Sequence, residues 1–183
     1  EGDEQLRQRV LDTFQRLPNG ANAAWYEQTA MGHEGVAAAR AVGRARGIGT
    51  VDVYIATAAG LPNGTLLAAV QADLQERREI AVDVQVKAPA EVEMDVSAEL
   101  AVREGADFSA VKAAAEQALA SFFSGRRLGG PVLLAELGDL LYHVEGVENY
   151  RLLAPAADLA AEDGTLPMLG RVTVTEMEAD DDV

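Results

Sequence analysis

The feature that most constrains this chain is an alternation of apolar and polar residues that runs from Val82 to Arg103 straight through a proline. Even positions carry Val82, Val84, Val86, Ala88, Ala90, Val92, Met94, Val96, Ala98, Leu100 and Val102. Odd positions are mostly polar: Asp83, Gln85, Lys87, Glu91, Glu93, Asp95, Ser97, Glu99 and Arg103. Period two puts alternate side chains on one face of an extended chain. Pro89 keeps the phase but cannot sit inside a central ladder. The run reads as two strands end to end, 82–87 and 91–103, with Ala88, Pro89 and Ala90 as a joint between two small domains. A first α+β module then occupies residues 1–89, a second 90–177, and an acidic tail 178–183.

The rest of the chain supports two modest modules. At 183 residues, 49% hydrophobic but only 5% aromatic, its cores must be built from Ala, Val and Leu. There is no cysteine, so disulfides and thiolate metal sites are excluded, which fits folding in a reducing cytosol. No apolar run reaches the roughly 18 residues of a membrane span. The first residue is Glu1 and no signal segment is evident, which suggests a fragment or a processed chain. The net charge of −15 argues against a nucleic-acid partner. That charge is uneven: nine basic and eleven acidic residues up to Pro89, then six and nineteen. An acidic second half is either a solvated surface or a means of steering toward a basic partner.

In chain order, Leu6, Val10, Phe14 and Leu17 predict a helix over 1–17, ended by Pro18-Asn19-Gly20. Asn22 can cap a helix over Ala23–Met31. A strand over 36–42, a glycine–arginine loop over 43–49 and a strand over Thr50–Ala56 form a hairpin. A helix follows at 63–78. In the second half, Ser109 is a plausible cap for a helix over 110–124. Pro131 suits the first turn of a helix over 132–143. Strands at 147–153 and 171–177 enclose a loop. His33-Glu34-Gly35-Val36 and Val144-Glu145-Gly146-Val147 sit at matching places, each between a helix and a strand, so an internal duplication is expected. The fold class is α+β: two tandem α/β-sandwich modules, each with a hairpin-containing mixed sheet packed by helices.

Reactive constellations are not visible. His33 and His143 each fall at a helix C-terminal end, where a cation is mildly favoured, and neither belongs to a metal-ligand pattern. The loop Gly43-Arg44-Ala45-Arg46-Gly47-Ile48-Gly49 lacks the Lys-Ser/Thr of a phosphate loop and precedes its strand instead of following one. It reads as a hairpin loop whose arginines meet acidic neighbours. Arg44 and Arg46, with Arg126 and Arg127 in the second half, are candidate partner contacts. Asp180, Asp181 and Asp182 read as a frayed terminus. No catalytic, metal or cofactor-binding residue is assigned, and the chain is expected not to be an enzyme.

A collinear series of blocks resembles the baseplate J-like proteins of contractile phage tails. The blocks are an acidic start with LRQR, PNGANAAWYEQTA, EGVAAARAV, GTVDVYI, GLP with LLAAVQADLQERR, VDVQVKAP, and FFSGRRLGGPVLLAELGDLLYHVEGVENYRL. The resemblance covers what would be the C-terminal two-thirds of such a protein. It implies a structural role in the baseplate wedge ring of a phage, prophage or related injection machine, with no catalysis and no cofactor. It also implies other tail proteins and copies of itself as partners, and the tail baseplate of the virion as the final location. Alternative readings are an acidic adaptor that recruits a basic protein and, less favoured, a tail-associated hydrolase using a carboxylate pair. The isolated chain is expected to be a monomer or weak oligomer.

Overall fold

A computed structural model of the chain describes residues 22–177. The helix expected over 1–17 and the acidic tail lie outside the described residues. The chain divides at the proline into two units, Glu1–Pro89 and Ala90–Val183.

The first unit runs α1 (Ala23–Met31), β1 (Ala38–Gly43), β2 (Thr50–Ala56), α2 (Gly64–Arg77), β3 (Asp83–Lys87). Its sheet has the order β1-β2-β3, antiparallel between β1 and β2 and parallel between β2 and β3. Asn22 and Asn63 cap the two helices, their side-chain oxygens accepting from Trp25 N at 3.0 Å and Leu66 N at 2.8 Å. The apolar stripe of α2 (Val70, Leu74) meets Val53, Ile55 and Val84 from the sheet and Tyr26 and Ala30 from α1. Each fully buried aliphatic side chain of this kind contributes about 1.5–3 kcal/mol.

The second unit runs β4 (Ala90–Val102), α3 (Phe108–Phe122), a short 3₁₀ turn (Gly125–Arg127), α4 (Leu134–Tyr142), β5 (Val147–Ala154), β6 (Thr165–Glu176). The even positions of β4 do face inward: Met94, Val96, Ala98 and Leu100 are buried, packed with Val111, Ala115 and Leu119 of α3 and Leu137 and Leu141 of α4. The architecture is thus two tandem α+β modules, each with a three-stranded mixed sheet.

Several local expectations are corrected. Asp107, not Ser109, caps α3; its carboxylate accepts from the N–H groups of Ser109 and Ala110. Pro131 precedes α4 without belonging to it, because Val132 pairs with Leu159 through two backbone bonds. The first N–H of α4 instead finds Asp158 Oδ1 at 2.7 Å, a cap supplied from 24 residues away. The last strand starts six residues earlier than its alternation suggests, since β6 includes Pro167; as an edge strand it tolerates a missing N–H. Ala90, expected one residue before the second strand, already begins β4: its N–H donates to Gly164 O at 2.9 Å.

The two EGV turns are alike, with φ of 92° at Gly35 and 90° at Gly146, each leading from a helix into a strand. The sheets around them are not wired alike. β1 and β2 are hydrogen-bonded neighbours, whereas β4 lies between β5 and β6, so the second module has no β5–β6 hairpin. The physical reason is the burial of β4. A long strand with this apolar face contributes most at the centre of its sheet, flanked on both sides.

Candidate functional site

The most elaborate polar structure of the first unit is the end of the sheet where β2 and β3 begin. Arg46 reaches from the β1–β2 loop to Asp52, Nε to Oδ1 at 2.7 Å, and Lys87 Nζ meets the other oxygen at 2.5 Å. The Arg46 guanidinium also pairs with the Asp83 carboxylate and donates to Asp83 O at 3.1 Å. Asp52 is 2% exposed. Burial alone would push its carboxyl up; the hydrogen bonds from Arg46 and Lys87 outweigh that and hold it below the usual carboxylate range. Arg46 is therefore an internal strut.

That strut fixes two turns side by side. The N–H of Asp83 donates to Gly49 O at 2.8 Å. Arg78 donates to the carbonyls of Glu79 and Ile80, both at 3.1 Å, and to Val82 O at 2.5 Å. Arg44 sits in the left-handed region at φ 62°, with its N–H on Thr50 O at 2.7 Å. What these bonds present to solvent is apolar: Ile48 is 94% exposed and Ile80 100%. The loop end thus exposes two bare isoleucines, with an Arg44 guanidinium that has no partner among the described residues.

In the second unit, Arg127 lies over the Phe122 ring, 3.6 Å from its centroid, and donates to Glu136 at 2.8 Å and to Pro131 O at 3.3 Å. It ties α3 to the start of α4. Arg126 beside it is exposed and has no partner among the described residues. Of the four arginines singled out from the sequence, Arg46 and Arg127 form ion pairs within their own units, whereas Arg44 and Arg126 are exposed with no partner among the described residues. Ala88 and Pro89 form the connection between β3 and β4.

The histidines are held as ordinary helix-end residues. His33 Nε2 lies 3.0 Å from Asp73, which also binds Arg77 at 2.7 Å; with Thr29 and Gly32 these line an open recess between α1 and α2. His143 Nδ1–H donates to Asp139 O at 2.8 Å. Among the described residues there is no cluster of three metal-capable side chains, and no helix is long and apolar enough to cross a membrane. Sequence reasoning missed Asp52, Gln71 and Glu27 as structural polar groups. The one signal for Asp52 was a lone acid inside an otherwise apolar strand.

Known proteins match this arrangement along the chain. The Baseplate J-like central domain matches residues 18–88, and the Baseplate J-like protein C-terminal domain matches residues 94–175. The protein XkdT of the phage-like element PBSX of Bacillus subtilis (strain 168) is 24% identical over 188 residues, 96% of this chain and 54% of that protein. Baseplate protein J of Escherichia phage P2 is 29% identical over 163 residues, 87% of this chain and 54% of that protein. The chain thus spans about half the length of the curated relatives it matches. In a six-fold symmetrised cryo-EM structure of the anti-feeding prophage baseplate, one chain shares the fold at TM-score 0.62, with 14% identity, 92% of this chain and 42% of that one covered. With its two units matching two consecutive domains in order, this chain belongs to the baseplate J-like family.

Proposed function

We propose that this chain is part of a structural component of a contractile-tail baseplate, assembling with other tail proteins and with copies of itself in a ring. The observation that carries the reading is the ordered match of both units to the central and C-terminal domains of one baseplate family. The shared fold with a chain of a prophage baseplate supports it. The role is mechanical and calls for no catalytic group or cofactor. The protein would be made in the bacterial cytoplasm and end in the tail baseplate.

Within that role, Arg44, Ile48 and Ile80 are one partner contact and Arg126 another, while Arg46 and Arg127 hold those surfaces in shape. Ala88, Pro89 and the start of β4 form the hinge. A short proline-containing connection transmits a tilt from one module to the next instead of absorbing it. The test is replacement of Pro89 by glycine in the full-length protein. Folding should survive while tail assembly or triggering is impaired; tails that assemble and contract normally would sink the hinge.

A further inference from the structure

Within the second unit, one stretch of the sheet has no strand paired to it among the described residues. β5 accompanies β4 only from Ser97 onward, where Ser97 faces Ala154, and Pro155 then follows β5. β4 itself begins seven residues earlier, at Ala90, and from there to Val96 it has β6 on one side only. The N–H of Ala90 donates toward β6, to Gly164 O. Backbone groups alternate sides along a strand, so those of Val92 and Met94 also point at β6. Those of Glu91 and Glu93 point to the open side. Among the described residues no backbone or side-chain group hydrogen-bonds to them there.

The first unit treats its edges differently. On β3, the Gln71 amide accepts from Val86 N–H at 2.7 Å and donates to Val84 O at 3.0 Å, mimicking a neighbouring strand. On β1, the buried Glu27 carboxylate accepts from Ala41 N–H at 3.1 Å. Both edges are plugged by a side chain from a packed helix, a recognised way to block strand addition. Among the described residues the Ala90–Val96 edge carries no such plug. Its exposed side chains Glu91 and Glu93 stand in a row on the face away from the helices. A second copy of the same edge would set carboxylate against carboxylate, which disfavours self-pairing. A strand with Lys or Arg at alternate positions would pair with them.

We infer that the open edge of β4 at Glu91 and Glu93 accepts an extended segment of a protein partner that bears alternating basic residues, by strand addition beside β5. Main-chain hydrogen bonds supply the binding and the two carboxylates select the charge. The inference rests on the edge itself, so it can fail or hold separately from the baseplate reading.

The probe is a synthetic peptide of alternating Lys and Val, with an alternating Glu and Val peptide as control, added to the full-length protein. Fluorescence anisotropy reads affinity, and hydrogen exchange followed by NMR reads the Glu91 and Glu93 amides. The expected result is binding of the Lys peptide alone, with slowed exchange at those two amides. Glu93→Pro removes an outward N–H without touching the β6 ladder, and should weaken binding at least about tenfold. The double charge reversal Glu91→Lys/Glu93→Lys, which leaves the backbone free, should switch preference to the Glu peptide. Binding without protection of these amides, or binding that Glu93→Pro leaves unchanged, would mean bare charge attraction and would overturn the inference. So would a failure of the Lys peptide to bind.

Discussion

Arg46 and Asp52 meet at 2.7 Å across the β1–β2 loop, and Lys87 closes on the other carboxylate oxygen from β3. One nearly buried acid thus ties a loop and two strands together. Its folded pKa lies below the unfolded value of about 3.9, so its contribution is complete above that pH and is lost as pH falls through the lower folded value. Asp52→Ala should cost about 2–3 kcal/mol near neutrality, the loss of two charge-assisted hydrogen bonds. It should also flatten the acid limb of stability. Urea unfolding of wild type and variant from pH 7 down to about 3 checks both; parallel acid limbs would contradict the assignment.

Tyr26 sets up the opposite dependence. Its ring is buried against the first core, yet its hydroxyl has no hydrogen-bond partner among the described residues. Burial pushes the hydroxyl pKa up, Glu79 adds to this and Arg78 opposes it. A raised folded pKa means stability that is intact below the unfolded value of about 10 and falls as pH rises above it. Tyr26→Phe should be neutral or slightly stabilising at pH 7, because it removes an unsatisfied polar group. It should also resist alkaline unfolding better than wild type. Tyr26→Ala should cost about 3–5 kcal/mol. Thermal melts at pH 7 and above 10 separate these outcomes.

Gly170 and Asp95 form a local lock. The β4–β6 register shifts between Met94 and Val96, and Asp95 Oδ1 accepts from Arg171 N–H at 2.7 Å. A Cβ on Gly170 would lie 2.4 Å from that oxygen and 3.3 Å from the Met94 carbonyl. Gly170→Ala should cost about 1–3 kcal/mol, chiefly by displacing Asp95 from a hydrogen bond. In an Asp95→Ala background the same substitution should cost clearly less. A double-mutant cycle by chemical denaturation measures the coupling; additivity would show that the two positions do not interact.

Ile48 and Ile80 contribute little to the fold of an isolated unit. Ile48→Asp/Ile80→Asp should leave stability within about 0.5 kcal/mol of wild type, as for ordinary surface changes. Incorporation into tails should fall, measured by co-purification with neighbouring tail proteins. Normal incorporation would remove this surface from the assembly.

How much of this was legible in the sequence depends on the range of the interactions. The cap at Asn22, the limits of β2 and the inward face of β4 follow from local pattern and came out correctly. So did the α+β class, which two alternating strand patterns between helices imply. The cap of α4 was not legible, because Asp158 lies 24 residues beyond the N–H that it serves. The extension of β6 was hidden by Pro167 and Gly170, residues that argue against a central strand but fit an edge with a register shift. The placement of β4 between β5 and β6 could not be read from an echo of turns, since turn geometry is local and strand order is not. The arginines show the same limit. Arg44 and Arg46 are two residues apart, yet only Arg46 finds Asp52 and Asp83.

The most direct test is assembly. The full-length protein should be co-expressed with the products of the neighbouring genes, sized by exclusion chromatography with light scattering, and imaged by electron microscopy. The account predicts a wedge or ring complex that contains this protein together with neighbouring tail proteins. A stable monomer that ignores those neighbours would contradict it.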